Sequence, residues 1–447
     1  MGYIEDYKSK LVSPDEAVKV VKSGDWLDYG SFNGQVRALD EALAKRKDEL
    51  EDVKIWTCVN PYPSKVNEVD PIGDSFVWMS WHTSGADRKI AKTGKPVYYS
   101  SIKYSELPRY VRERIEPLDV AMLQVCPMDK HGFFNFGPQV THSRAVCDRA
   151  KVIMVEVNEH QPRCLGGYEE KVHISEVDFI VESNLPLTQI PAPPVGDIDK
   201  KIAEYIISEM SDGSCVQLGI GGIPNAVGMM IAESELKDLS CHTEMLVDAY
   251  VYMDMAGKMT GKYKGIDPGK LVYTFALGTK MLYDFIDDNP KCAAYPVDYT
   301  NEPYIASRNE KLMTINNAIE IDIYGQCCSE SHGTRHISGT GGQLDFVLAG
   351  WLSKGGKSFV ASPAANYKDG KAVSSRIVPT LTTGAIVTDP RSVADYIVTE
   401  FGMYAMKGMS VWQRAEGLIN IAHPDFRDDL VKAATAQGIW KKTNKIR

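Results

Sequence analysis

The sequence predicts two tandem α/β domains of related topology with mostly parallel sheets, and three observations carry that expectation. A strand ending in glycine, followed by a turn and a helix, occurs over residues 25–43 and again from residue 214 onward. Several apolar runs are continuous rather than alternating, as strands covered on both faces require. A proline-rich stretch at 184–196 separates the two regions.

Taken in order, the first element is a helix opened by Ser13 as N-cap, with Pro14 at the first helical position and Glu16 three residues after the cap. Val18, Val20 and Val21 carry it to Gly24, whose backbone freedom suits a left-handed C-terminal cap. A strand over 25–30, a turn at Ser31-Phe32-Asn33-Gly34 and a helix through Leu39, Ala42 and Leu43 complete a β-turn-α unit. Further strands are expected at 120–125, 152–157 and 179–181. The prolines of 184–196 can continue neither a helix nor a central strand, so a linker is placed at 186–197, between domains at 1–185 and 198–447.

The second half repeats the order. A helix runs through Ile202, Tyr205 and Ile206, and Ser211-Asp212-Gly213 turns into a strand at 214–218. That strand ends at Gly219, the counterpart of Gly30, and a helix is expected to start near Pro224-Asn225. A β-rich segment follows at 312–325 and a strand at 385–388.

Composition excludes several classes. With 44% hydrophobic and 24% charged residues in 447, the chain is globular, and no apolar run approaches a membrane span of about 20 residues. A net charge of −9 argues against nucleic-acid binding, which needs a basic stripe. The N-terminus has no basic region followed by an apolar one, so a cytoplasmic location is expected. Nine scattered cysteines without a C-x-x-C pair are expected to be reduced, small buried residues. His332 and His336 have the spacing of a ligand pair, but the glycine and hydroxyl residues around them argue for a loop, and no metal is expected.

Chemistry concentrates in the second half. Gly219-Ile220-Gly221-Gly222-Ile223-Pro224 departs from G-x-G-x-x-G by carrying Pro in place of the third Gly, which disfavours a dinucleotide site. It still offers backbone N–H groups at a helix start, where a phosphate or a developing oxyanion is favoured, or it is a tight turn without ligand. A second cluster, Ser338-Gly339-Thr340-Gly341-Gly342, is a further place for close backbone approach. Two carboxylates compete as the reactive group: Glu244, in Cys241-His242-Thr243-Glu244-Met245-Leu246, and Glu320, which alternates with Ile319 and Ile321 and is expected to point away from the core. Neither a G-x-S-x-G elbow nor a P-loop is present, so an enzyme of this sequence would use a plain carboxylate as nucleophile. Lys354, Lys357 and Lys407 are the basic residues that could meet an anionic cofactor.

Residues 220–224 (IGGIP), 242–245 (HTEM), 337–346 (ISGTGGQLDF), 375–379 (SRIVP), 398–402 (VTEFG) and 421–427 (IAHPDFR), with 124–129 and 132–137 in the first half, resemble the acetyl-CoA hydrolase/transferase family. Within it the likeness is greatest to the branches that transfer CoA between butyryl-CoA and acetate or to 4-hydroxybutyrate, and it covers nearly the whole chain. The resemblance implies tandem CoA-transferase-type domains with the active site between them, and a homo-oligomer acting on acyl-CoA and short-chain carboxylates. It implies that Glu244 becomes a glutamyl-CoA thioester in ping-pong transfer from butyryl-CoA to acetate, with no permanently bound cofactor. Gly221, Gly222, Ile223, Pro224, Asn225, Ile319 and Gly342 would contact CoA or the reacting carbonyl, and N–H groups near Ile220-Gly221 and Gly341-Gly342 would receive the oxyanion. Lys407 is assigned to CoA, with Met409 standing where relatives are expected to carry a second Lys. Asn33-Gly34 and Trp81-His82-Thr83 are the candidates for the acyl pocket. Rival readings are an acyl-CoA hydrolase using the same intermediate, a catalytically silent CoA-binding protein, and a sugar-phosphate isomerase.

Overall fold

The computed structural model describes residues 2–114 and 117–440. Two compact units are found. One comprises Met1–Pro191 together with Glu244–Leu246 and Val272–Thr300, and the other Ala192–Thr243, Val247–Leu271 and Asn301–Arg447.

The first unit is built on seven parallel strands. Their spatial order is Val97–Tyr99, Phe76–Ser80, Val53–Cys58, Trp26–Ser31, Val120–Val125, Val152–Val157, Phe179–Glu182. The chain therefore starts in the middle of the sheet, lays three strands to one side and three to the other. The flanks of Trp26–Ser31 make a topological switch point, where the loops beyond the strand ends splay apart and ligands of such sheets bind. All six residues of Val120–Val125 are buried, and Leu27, Tyr29, Met122 and Met154 join one core with Phe76 and Trp78. Continuous apolar strands of this kind bury both faces of a sheet covered by helices.

The second unit repeats the plan. Its strands run Ser240–His242, Cys215–Leu218, Leu312–Asn317, Lys357–Ala361, Tyr396–Thr399, Gly402–Ala405, parallel except for the last pair. Again the earliest strand, Cys215–Leu218, lies at the reversal of order, and a glycine turn leaves its end. The mostly parallel α/β architecture and the related topology of the halves are as the sequence predicts.

Three local expectations need correction. The helix opened by Ser13 is short, Pro14–Ala17 followed by a single tighter turn at Val18–Val20, although the Ser13 side chain does accept from Glu16 N. Residues 385–388 are not a strand: Thr388 and Asp389 both donate to the one carbonyl of Cys327, and Ile386 and Val387 remain exposed. The turn at Gly384 and the Pro390 that follows Asp389 leave no room for a ladder, since proline has no N–H to donate. Glu320 does not point into solvent. It is 5% exposed, and its Oε2 accepts from Thr382 N at 3.2 Å and Thr382 Oγ1 at 3.0 Å.

All nine cysteines are buried. Among the described residues no helix is long and apolar enough to cross a membrane. His332 and His336 lie on the two arms of a small hairpin, and His336 Nε2 is bonded to Ser338 O at 2.6 Å.

Candidate active site

In the second unit the strand Cys215–Leu218 passes into Gly219, whose N–H bonds Ile315 O at 3.1 Å. Gly221 then takes φ +124°, a conformation that L side chains rarely adopt, and caps the helix Gly222–Glu233 without a side-chain hydrogen bond. The helix begins two residues earlier than its Pro224 suggests. Proline is tolerated there because first-turn N–H groups have no acceptor inside the helix. The first backbone bond within it is Asn225 N to Gly221 O at 3.2 Å, so the N–H groups of Gly221, Gly222 and Ile223 have no partner in the helix. Ile223 and Pro224 are buried, Ile220 is exposed, and Asn225 Nδ2 reaches Pro193 O at 3.4 Å. A Cβ on Gly222 would meet the Asp199 carboxylate at 2.8 Å. That carboxylate already sits against the helix start, so a phosphate at the same place would meet like charge.

The second glycine cluster forms another such turn. Gly341 has φ +51°, and Gly342 is the buried N-cap of the helix Gln343–Leu352, again without a side-chain cap. The preceding loop is held by Glu330, whose O accepts Ile337 N and Ser338 N and whose Oε1 accepts Thr340 Oγ1. Ile319 lies between two strands, its N–H bonded to Cys328 O at 2.7 Å. Hydrogen bonds through Asn317, Ser329 and Gln343 connect the two glycine turns.

Lys407 stands apart from both. Its Nζ bonds Ser392 O at 3.2 Å and lies 4.8 Å from the centre of the Trp351 ring, at the far end of the helix that Gly342 caps. Burial lowers its pKa, with Asp395 opposing that effect. Lys354 and Lys357 are paired with Glu310 and Glu209.

Glu244 packs with the first unit. Thr243, the residue before it, bonds Leu218 O through its hydroxyl at 3.4 Å, one residue short of Gly219. Glu244 is half-buried, and its backbone O accepts both Thr274 N at 3.0 Å and Phe275 N at 3.2 Å. Met245–Leu246 continues as a strand parallel to Phe275–Ala276. Phe275 is stacked on Phe32, ring centres 3.7 Å apart and 15° from parallel. Phe32 has φ +50°, uncommon for an aromatic residue, in the loop that leaves the central strand Trp26–Ser31 at the switch point.

Tyr104 and Cys58 are buried nearby, the thiol 3.9 Å from the phenol oxygen. Burial raises both pKa values well above the ordinary range, and the negative charge of Glu244 pushes each further in the same direction. Neither would ionise beside it, so both stay neutral groups near the Glu244 carboxylate. Sequence reasoning missed Phe32, Phe275, Tyr104 and Cys58. Only the turn at Asn33-Gly34 offered a signal.

The acyl-pocket candidates separate. Asn33 is buried in a polar network, its Oδ1 accepting Tyr62 OH at 2.9 Å and Thr188 N at 3.1 Å while its Nδ2 donates to Tyr283 OH at 2.8 Å. Trp81 stacks on Trp56 at 4.1 Å as part of an aromatic core.

Comparison with known proteins agrees along the whole chain. Models of the acetyl-CoA hydrolase/transferase N-terminal and C-terminal domains match residues 1–191 and 278–434. The chain is 53% identical over 447 residues to the butyryl-CoA:acetate CoA-transferase of Anaerostipes caccae, covering 100% of both. It is 38% identical to the 4-hydroxybutyrate coenzyme A transferase of Clostridium kluyveri, over 96% of this chain and 98% of that one. Among solved structures, RipA from Yersinia pestis superposes with a TM-score of 0.91 at 34% identity, covering 98% of this chain and 100% of that one. The chain belongs to the acetyl-CoA hydrolase/transferase family.

Proposed function

We propose that this protein is a CoA-transferase that moves CoA from butyryl-CoA to acetate through a glutamyl-CoA thioester on Glu244. The full-length 53% identity to the Anaerostipes caccae transferase carries the choice of reaction. The half-buried carboxylate on a doubly bonded strand junction supports the choice of nucleophile.

The reaction needs one stripped carboxylate and donors for a transient oxyanion. Glu244 attacks the butyryl thioester carbonyl, the C–S bond breaks, and CoA leaves as thiolate from an acyl-glutamyl anhydride. The thiolate then attacks the Glu244 carbonyl, forming glutamyl-CoA and releasing butyrate. Acetate runs the two steps backwards, giving acetyl-CoA and restoring the carboxylate, so the kinetics are ping-pong. N–H groups of the Ile220-Gly221 and Gly341-Gly342 turns are the donors this reading assigns to the tetrahedral oxygen, and one such donor is worth about 3 kcal/mol. Gly222, Ile223, Pro224, Asn225 and Ile319 shape the CoA-facing wall, with Lys407 reserved for the remote end of CoA. Binding energy from that remote end can be used at the thioester, so truncated thioesters should lose turnover as well as affinity. The same reading expects a cytoplasmic location and a homo-oligomer, and light scattering on the purified protein tests the latter.

Two measurements decide the matter. Glu244→Ala should lose transfer by roughly a thousandfold or more, as loss of a covalent nucleophile does, and substantial residual transfer would remove Glu244 from that role. Release of CoA from butyryl-CoA should depend on acetate. The same release without any acceptor would make the protein a hydrolase.

A further inference from the structure

Both glycine turns are made of backbone with little conformational restraint of its own, since Gly221 and Gly341 occupy positive φ. Donors that act on a transition state must be held in place before the reaction, so such turns need restraint from outside. The second unit contains one. Gln343, the residue immediately after Gly342, donates from Nε2 to Ser329 Oγ at 2.8 Å and to Asp389 Oδ2 at 2.6 Å, using both protons of its amide. Ser329 passes its own hydroxyl proton to Asn317 O at 2.8 Å. Asn317 Nδ2 then donates to Ile220 O at 2.9 Å, in the middle of the other turn. Each proton is used once: from Gln343 one donor is anchored on the fully buried Asp389 carboxylate, and the other starts the run of bonds through Ser329 and Asn317 to the first glycine turn.

The surroundings fix its members further. Ser329 N is bonded to Thr388 Oγ1 at 2.9 Å, and Ser329 O accepts Ser338 Oγ at 3.0 Å, so the same residue also grips the loop leading to Gly341. Asn317 Nδ2 would lie 3.2 Å from a Cβ on Gly221, so its amide rests directly against that turn. Asn317 Oδ1 is buried without a hydrogen-bond partner, an arrangement that costs stability. Local costs of this kind are expected where a residue serves a site.

We propose that Gln343, Ser329 and Asn317 are positioning residues that clamp the Gly219–Gly221 and Gly341–Gly342 turns to one another, so that both sets of N–H groups address the same thioester. The inference rests on the reading of these turns as oxyanion and CoA contacts. Gln343 and Asn317 act through the turns they hold. A displacement of about 1 Å in a catalytic donor can cost up to a hundredfold in rate, so loosening one turn should cost on the order of tenfold.

The test is a double-mutant cycle on the purified full chain with butyryl-CoA and acetate, using Gln343→Met and Asn317→Ala. Each single variant should lower kcat about tenfold while the KM for butyryl-CoA changes less than threefold. The double variant should be no slower than the slower single one, because either break opens the same clamp. Ser329→Ala, a smaller change at the middle link, should reproduce the loss if either longer variant fails to fold. Unchanged kcat in the single variants overturns the proposal, and so does a double variant slowed by the product of the two effects, which would mean the turns are held independently. Mixing each protein with butyryl-CoA alone and weighing the intact chain keeps the two levels apart. An adduct of the mass of CoA less one water on the wild type with normal kcat in the variants sinks the clamp and leaves the glutamyl-CoA reading standing. Absence of the adduct from the wild type sinks that reading, and the clamp with it.

Discussion

Asp28, on the central strand of the first unit, offers a stringent test of the buried electrostatics. It is 2% exposed, its Oδ1 accepts Gly30 N at 2.8 Å, and its Oδ2 lies 3.9 Å from His142 Nε2. Burial pushes the carboxyl up to about 7, with the Gly30 bond opposing, while burial pulls His142 down to about 4. Between those values both partners are neutral, so the contact is an uncharged acid beside an uncharged imidazole. The folded carboxyl binds its proton more tightly than the unfolded one. Its stabilising contribution is therefore complete below the ordinary 3.8 and is lost as the pH rises towards about 7. At about 1.4 kcal/mol per pH unit the full loss is about 4 kcal/mol. Asp28→Asn keeps the acceptor for Gly30 and removes the titration. In urea unfolding followed by tryptophan fluorescence, its stability relative to wild type should rise by about 2.5 kcal/mol from pH 5 to pH 8, some two-thirds of that below pH 6.5. A difference that stays flat from pH 5 to pH 6.5 and changes only above it would refute the reasoning. That pattern belongs to an imidazolium–carboxylate ion pair.

Two further outcomes follow from packing. Gly166→Ala would drive a Cβ into Ala294 O, a backbone atom in the segment that packs with Glu244. The variant should lose about 3 kcal/mol, the upper range for overpacking, in thermal unfolding; an unchanged melting temperature would show that this segment can shift freely. Thr382→Val removes one of the two donors to the buried Glu320 carboxylate, whose Oε1 is already without a partner. A loss of about 1–3 kcal/mol is expected, and no loss would mean that water reaches Glu320.

What the sequence alone determined about this protein is the class of fold, its internal repeat and the stretches where chemistry lies. Continuous apolar runs specify their strands without outside help: residues 120–125 and 152–157 fold as strands with the expected bounds, since an apolar segment of that length has to be covered on both faces. The glycine turns were legible for a similar reason, because positive φ at Gly221 and Gly341 is a property of the local chain. The family resemblance supplied the reaction, and the roles of single residues in it are for the experiments above. Tertiary structure decided everything that depends on a distant partner. Glu320 alternates as a surface residue would, yet Thr382, 62 residues away, holds it inside. Residues 385–388 have strand composition, yet one carbonyl of Cys327 takes both available N–H groups and leaves no ladder. The stack of Phe275 on Phe32, and the hydrogen bonds that join the two glycine turns, connect residues whose separation in the chain gives no periodic signal. Local chemistry can be read from neighbours in sequence. Burial and hydrogen bonding in this protein depend on which strands become neighbours, and that is settled only when the sheets form.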